Sequence, residues 1–548
     1  DQENYIIGSG FNRLSARSNI EFKATDYLTI SNNITVSNST TNTFFDGGSF
    51  NNPFKNSLEL SPLIPIYDEE GRYNGEHANY FPLGGANPVG SLSGDDLWEN
   101  KQFRVIDNFA VSIKPIRNLT LRSQLNFDLL TLNESQYQNP RYGGGRNSGG
   151  IGYEANTSLK TFVGTQTADY SFNLGDNHNF NVLGGFEAQE TVNESFSASG
   201  TQFPNQSLRT LNSASAEFAI SGSKSEYTFV SAFSRANYNY DGKYFLSASL
   251  RRDGSSRFGA DNRWGTFYSF GGSWLASNES FLKDVSFLNL LKVRSSWGVT
   301  GNAAIGNFPS QGLYVYGQDY DGNPGGSPSQ IANPDLTWES QQNFNAGVDF
   351  GLFSRISGTV EYFERTSSDL ILNVPITLTS GFSSLTQNFG EMKNSGIEIS
   401  MNADIISNDN FNWNVGFNTT FLKNEITELT DDFTDGAFRR QEGEDFQSFY
   451  LYSWAGVNQE NGDPQWYTDA SKTTITNDIS DAERFLDDKS ATPEFFGGFN
   501  TMFTYKDFSL SANFIYSYGN YIFDDRARGT LGDGRLTPRS TANFIYDN

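Results

Sequence analysis

The chain has 548 residues with 48 Phe, 26 Tyr and 53 Gly but only 18% charged residues, a composition that suits sheets whose polarity is carried by Asn, Ser, Thr and Gly. Asp and Glu outnumber Lys and Arg by 63 to 38, and the net charge of -25 leaves no basic field to attract nucleic acid. Cysteine is absent, which excludes disulfides and thiolate metal sites, and no apolar run nears the roughly 18 residues of a membrane helix, a test that does not register membrane strands.

The opening DQENYIIGSG carries neither a basic stretch nor an apolar core, so no signal peptide is read there. From there a two-residue rhythm predicts strands. It starts at 20–36. Around 119–127, Leu119, Leu121, Leu125 and Phe127 share one face, while Arg122, Gln124, Asn126 and Asp128 share the other. Segments 157–172, 180–190 and 227–238 follow. In KYFLSASLR, Leu246, Ala248 and Leu250 oppose Ser247, Ser249 and Arg251. DGSS after it has turn chemistry, and Tyr268, Phe270 and Trp274 mark a returning strand. Val293, Ser295, Trp297 and Val299 then oppose Lys292, Arg294, Ser296 and Gly298. Segments 344–351 and 355–362 lead to the sharpest case, where Phe411, Trp413, Val415, Phe417, Thr419 and Phe421 face away from Asn412, Asn414, Gly416 and Asn418. Last, Leu510, Ala512, Phe514 and Tyr516 oppose Ser509, Ser511, Asn513 and Ser517.

Alternation alone does not separate a soluble sandwich from a barrel. Segment length and loop pattern do: strands of about nine to eleven residues with aromatic ends fit a tilted membrane strand. Short turns such as LGDN at 174–177 and SNDN at 407–410 alternate with long excursions at 46–100, 133–156, 191–224, 300–343 and 424–492. The last, with its turns, apolar anchors and acidic run, reads as a folded extracellular loop. The expected fold is all-β, a transmembrane antiparallel barrel forming one domain over 1–548. Its polar face would line a lumen through Arg122, Gln124, Asn126, Asn412, Asn414, Asn418, Ser509, Ser511 and Asn513.

Catalytic chemistry is not indicated, and the chain is not read as an enzyme. His77 and His178 stand 101 residues apart without a metal-binding spacing. GGGRNSGG at 143–150 reads as a flexible loop rather than a phosphate cradle. Acids at Asp68, Glu69 and Glu70, at Asp319 and Asp321, and at Asp431, Asp432 and Asp435 are the candidates for structural calcium, though none has the spacing of a calcium loop. No other cofactor is expected.

Several stretches carry a family resemblance. YDGKYFLSASLRRDGSSRFG at 240–259, WLASNESFLK at 274–283, LKVRSSWGVTGNAAIGNF at 291–308 and NPDLTWESQQNFNAGVDFG from 333 are followed in order by NFGEMKNSGIEI, AGVNQENGDPQW and TPEFFGGFNTMFTYKDFSLSANF. Together they resemble the SusC/RagA group of TonB-dependent outer-membrane transporters of Bacteroidota. The resemblance implies a 22-stranded barrel in the outer membrane, in contact with its lipid. It implies an N-terminal plug and TonB-contacting segment ahead of the first strand, further strands after the last, and a SusD-like lipoprotein lid. The chain is thus expected to be part of a larger barrel protein. The function implied is TonB-driven import of oligosaccharides or peptides. The alternatives are a structural or secretion-associated barrel that docks other surface proteins, and a secreted glycan-binding β protein.

Overall fold

The computed structural model describes residues 1–4, 6–44, 52–59, 64–74, 87–429 and 431–524. The alternating sequences become sixteen long strands, each antiparallel to its neighbours in chain order. The first eight are β1 (Gly10–Thr25), β2 (Leu28–Asn42), β3 (Leu97–Ile116), β4 (Leu119–Gln138), β5 (Ile151–Leu174), β6 (His178–Thr201), β7 (Ala216–Tyr240) and β8 (Tyr244–Ser255). The second eight are β9 (Trp264–Leu275), β10 (Leu288–Asn302), β11 (Glu339–Leu352), β12 (Ile356–Ser368), β13 (Glu391–Ser407), β14 (Phe411–Glu428), β15 (Phe495–Tyr505) and β16 (Phe508–Tyr518).

Odd strands join the following even strand through two or three residues, except for β9–β10, which uses 276–287. The remaining connections, most of them long, leave from the opposite ends, as the sequence predicts. The β7–β8 turn shows why the tight ends hold: Asp241 and Gly242 sit at φ 52° and 64°, a left-handed conformation that these two residues tolerate. Asn239 Oδ1 accepts from Gly242 N at 3.0 Å. Among the described residues β16 has one partner, β15, and the outer edge of β1 carries only Gln2–Glu3, so the described sheet is open.

Directly paired residues share a face, so the register sorts the sheet into two surfaces. One row runs Trp413–Phe503–Leu510 and another Phe417–Phe499–Phe514. This apolar surface is uncovered: Leu246, Phe270, Leu510 and Phe514 are 58%, 55%, 68% and 57% exposed. A contiguous apolar surface of that extent requires a non-aqueous neighbour. At the short-turn end it terminates in aromatic rings, with Phe172 stacked on Phe180 at 4.9 Å and Phe180 tilted against Tyr238 at 4.8 Å. Nearby, Tyr244 Oη–H and Trp274 Nε1–H both donate to Glu279 Oε1, at 2.6 and 3.2 Å. These two hydrogen bonds, with Lys243 3.8 Å from the same carboxylate, hold the Glu279 carboxyl below its usual range. The motif WLASNESF is therefore a rim anchor.

Several expectations are corrected. Strands run far past eleven residues, with 25 in β7 and 24 in each of β5 and β6, because apolar alternation marks only the part that meets the uncovered band and the ladder continues beyond it. The excursions shrink accordingly to 139–150, 202–215, 303–338 and 429–494, and the first ends at β3, with much of it outside the described residues. Segment 20–36 contains the β1–β2 turn at Asp26 and Tyr27. DGSS is not the reversal, since Asp253 and Gly254 pair with Gly265 and Trp264 and the chain turns at 256–263. GGGRNSGG is no loose loop: Gly143–Ser148 is a 3-10 helix, packed so closely that a Cβ on Gly145 would lie 2.6 Å from Asn139 O.

Candidate functional site

The site is built from the polar face of the sheet and the loop-side structure above it. On β4, Arg122, Gln124 and Asn126 lie on one face and are chained, Arg122 Nε–H to Gln124 Oε1 at 3.3 Å and Gln124 Nε2–H to Asn126 Oδ1 at 3.2 Å. Asn108 Nδ2 of β3 also donates to Asn126. On β14, Asn414 donates to Asp404 at 2.9 Å, and Asn418 Oδ1 accepts Gly498 N at 3.1 Å. Asn412 and Ser509 both sit opposite Thr504, while Ser511 faces Met502 and Asn513 faces Asn500. Gly416 makes room between amides, since a Cβ there would lie 2.6 Å from Asn500 Oδ1 and 2.9 Å from Asn402 Oδ1. The nine predicted residues therefore fall on the polar side of their strands, in two groups: three on β4, and six across β14 and β16.

Sequence reasoning missed the ionic groups between them. Arg251 reaches Asp253 at 2.7 Å, Glu187 at 3.1 Å and Ser231 at 2.9 Å, and Thr165 donates to Glu187 at 3.0 Å. Arg294 binds Asp349 at 3.2 Å and also Glu361. Beside the first group, Arg104 of β3 binds Asp128 of β4. The i, i+2 spacing of Arg251 and Asp253 was the available signal, because it puts both on one face.

The loop side carries the two buried clusters. In the first, Phe258, Leu336 and Trp338 are 1%, 0% and 7% exposed, with Phe229 and Phe267 packed against them. It joins 256–263 to 333–338: Gly259 N donates to Leu336 O at 3.1 Å and Trp338 Nε1 to Arg263 O at 3.0 Å. Arg257 lies 3.8 Å over the Tyr227 ring and donates to Asn307 Oδ1 and Ala303 O at 2.9 and 2.7 Å. Asn333 and Asn388 extend the joint to 369–390 through Thr386 O and Thr337. The three basic residues of RRDGSSR thus have three tasks: Arg251 in the polar network, Arg252 over Trp264 on the apolar side, and Arg257 in the loop joint.

The second cluster joins Tyr137, Phe203 and Ala214. Beside it Asn139 donates through N and Nδ2 to Asp96 Oδ1, both at 2.8 Å. Burial, opposed by those hydrogen bonds, pushes the Asp96 carboxyl up to about 6. Residues 433–490 form a separate unit of a four-stranded and a three-stranded sheet. Its interior holds Arg440, 6% exposed, bound to Asp435 at 3.1 Å and 3.9 Å over Phe446. The expectation of a folded loop here holds.

Among the described residues, no group of three or more His, Asp and Glu is placed to hold a metal. Asp68 and Glu70 bind Arg72, and Asp435 is engaged by Arg440. His178 Nδ1 lies 2.8 Å from Tyr238 Oη within the aromatic rim, and His77 lies outside the described residues.

Comparison with known proteins agrees with this architecture. Residues 21–544 match the family model described as TonB dependent receptor-like, beta-barrel. TonB-dependent receptor P39 of Formosa agariphila is 31% identical over 96% of this chain and 54% of its own length. TonB-dependent receptor SusC of Bacteroides thetaiotaomicron is 34% identical over 54% of this chain and 32% of its own. The structure of the RagAB peptide transporter superposes with a TM-score of 0.86 at 27% identity, covering 98% of this chain and 61% of that one. The chain thus spans about half the length of the curated relatives that it matches over nearly all of its own. From this match and the two-faced sheet, the chain belongs to the TonB-dependent receptor family, as a β-barrel portion of SusC/RagA type and not an enzyme.

Proposed function

We propose that the complete protein imports oligosaccharides or peptides across the outer membrane, driven through TonB and working with a SusD-like lipoprotein lid. The observation that carries this reading is the separation of faces. An uncovered apolar surface suits outer-membrane lipid, and the opposite surface offers amides, hydroxyls and matched charges to water.

On this reading the polar face is the lumen wall. Three of its arginines are already neutralised, Arg104 by Asp128, Arg251 by Glu187 and Asp253, and Arg294 by Asp349 and Glu361, while Arg122 is bonded to Gln124. Cargo then meets many weak hydrogen-bonding groups and charges that are mostly paired, which lets it both enter and leave. The loop joint around Trp338 supplies a stiff outer platform, and a lid needs such a seat if it is to open and close without loosening the strands beneath. A plug and TonB-contacting segment would belong to the complete protein.

The test is uptake of fluorescent oligosaccharides and peptides by cells producing the complete protein with its lipoprotein. The expected result is uptake of one cargo class that stops on collapse of the proton gradient and on loss of the lipoprotein. Production of an intact barrel that admits neither class, yet is purified fixed to other surface proteins, would overturn import and favour a structural or secretory role.

A further inference from the structure

The 433–490 unit carries a feature that the import reading does not use. Between its sheets and the segment after β16 lies a recess of about 300 Å³, the lower end of the range for ligand sites. Tyr452, Trp454, Tyr521 and Phe523 give it apolar walls, and Asp487 and Lys489 give it a polar edge. The rings are open to water: Trp454 is 55% exposed, Tyr521 49% and Phe523 46%. Their positions are fixed. Tyr521 N donates to Ser490 O at 2.8 Å, which seats its segment against Arg484–Ser490, and Lys489 Nζ lies 5.6 Å from the centre of the Tyr521 ring. Trp454 is in register with Trp466 on the next strand, the two rings 6.0 Å apart and nearly perpendicular. The aromatic surface therefore continues past the recess.

We infer that this recess binds a neutral saccharide unit, with the ring face stacked on Trp454 and the hydroxyl edge bonded to Asp487 and Lys489. A sugar ring presents a C–H face and a rim of hydroxyls, which matches flat rings bordered by a carboxylate and an ammonium group. The charge balance favours a neutral ligand. Asp487 is held between Lys472 and Lys489 at 2.7 and 2.9 Å, so its charge is already met. A charged peptide end gains no net field there. A helix, about 10 Å across with its side chains, does not fit the volume.

The assignment rests on the import reading for its biological sense, because it names the cargo class, but binding is measured independently of transport. The detergent-purified complete protein is titrated with maltoheptaose, laminarihexaose, xylohexaose and trialanine, following tryptophan fluorescence and heat. At least one of the saccharides is expected to bind. Trp454→Ala should weaken that binding about tenfold and Trp454→Phe should restore most of it, as for an aromatic anchor at the centre of a contact. Asp487→Asn should weaken it less, and heat-induced unfolding should confirm that each variant retains its fold. Binding of trialanine alone, no binding of any saccharide, or equal affinity in wild type and Trp454→Ala would each overturn the inference. Saccharide binding with no uptake in cells would instead leave this site standing and remove the import reading.

Discussion

Replacing Gly259 by alanine will uncouple the loop joint while leaving the strands intact. The new Cβ would sit 1.7 Å from Pro334 O and 2.6 Å from Pro334 C. Both are backbone atoms, so no side-chain rotation relieves the clash. Pro334 cannot retreat easily either, because Asn333 next to it donates to Thr386 O at 2.9 Å and its carbonyl accepts Leu336 N at 3.3 Å. The 3.1 Å bond from Gly259 N to Leu336 O is lost as the two segments part. Overpacking of this kind costs about 1–3 kcal/mol, here drawn from a joint of a few dozen residues. Hydrogen exchange in 256–263 and 331–338 should accelerate by one to two orders of magnitude, about what that energy implies. Gly306→Ala in the 303–338 loop, the partner of the 256–263 turn, meets nothing within 4 Å and should leave exchange unchanged. Slow exchange in both variants would show that the joint is not held as described.

Trp338→Ala should have a larger effect by removing the centre of the same cluster. The ring contacts Phe258 at 4.8 Å and Phe267 at 5.3 Å between centroids, and its Nε1–H satisfies Arg263 O. Truncating a buried tryptophan costs about 3–5 kcal/mol through lost contacts and the cavity left behind. The loss should appear as proteolytic cutting within 303–338, while the strands, paired along their lengths, keep their resistance. Equal protease resistance in wild type and variant would contradict the assignment of Trp338 as the keystone of the block.

Much of this was legible where local chemistry decides the outcome. The faces of 411–421 follow from period two, and the register confirms them residue by residue through Trp413–Phe503 and Phe417–Phe499. The positions of the short turns at 174–177 and 407–410 were legible for the same reason. What depends on distant partners was not. DGSS looked like a turn because Asp and Gly tolerate one, but Asp253 is occupied by Arg251 and its backbone pairs with Gly265. Gly259 meets Pro334 across 75 positions, and no local pattern announces that contact. The aromatic recess is likewise assembled from Trp454, Lys489 and Tyr521, which lie far apart in the chain. The nine polar-face residues share a side within each strand because period two alone puts them there, whereas the ion pairs that separate the two groups come from strands whose pairing the alternation does not reveal.

The central claim is that the polar face is a water-filled wall and the apolar face meets lipid. A chain without cysteine allows that to be measured directly with single substitutions. In the complete protein in outer membranes, N126C, N414C and S511C should react with a membrane-impermeant maleimide, while L125C, V415C and L510C should resist it and be reached by a lipid-soluble spin label. The opposite pattern, or equal reaction of both sets with the impermeant reagent, would contradict the account.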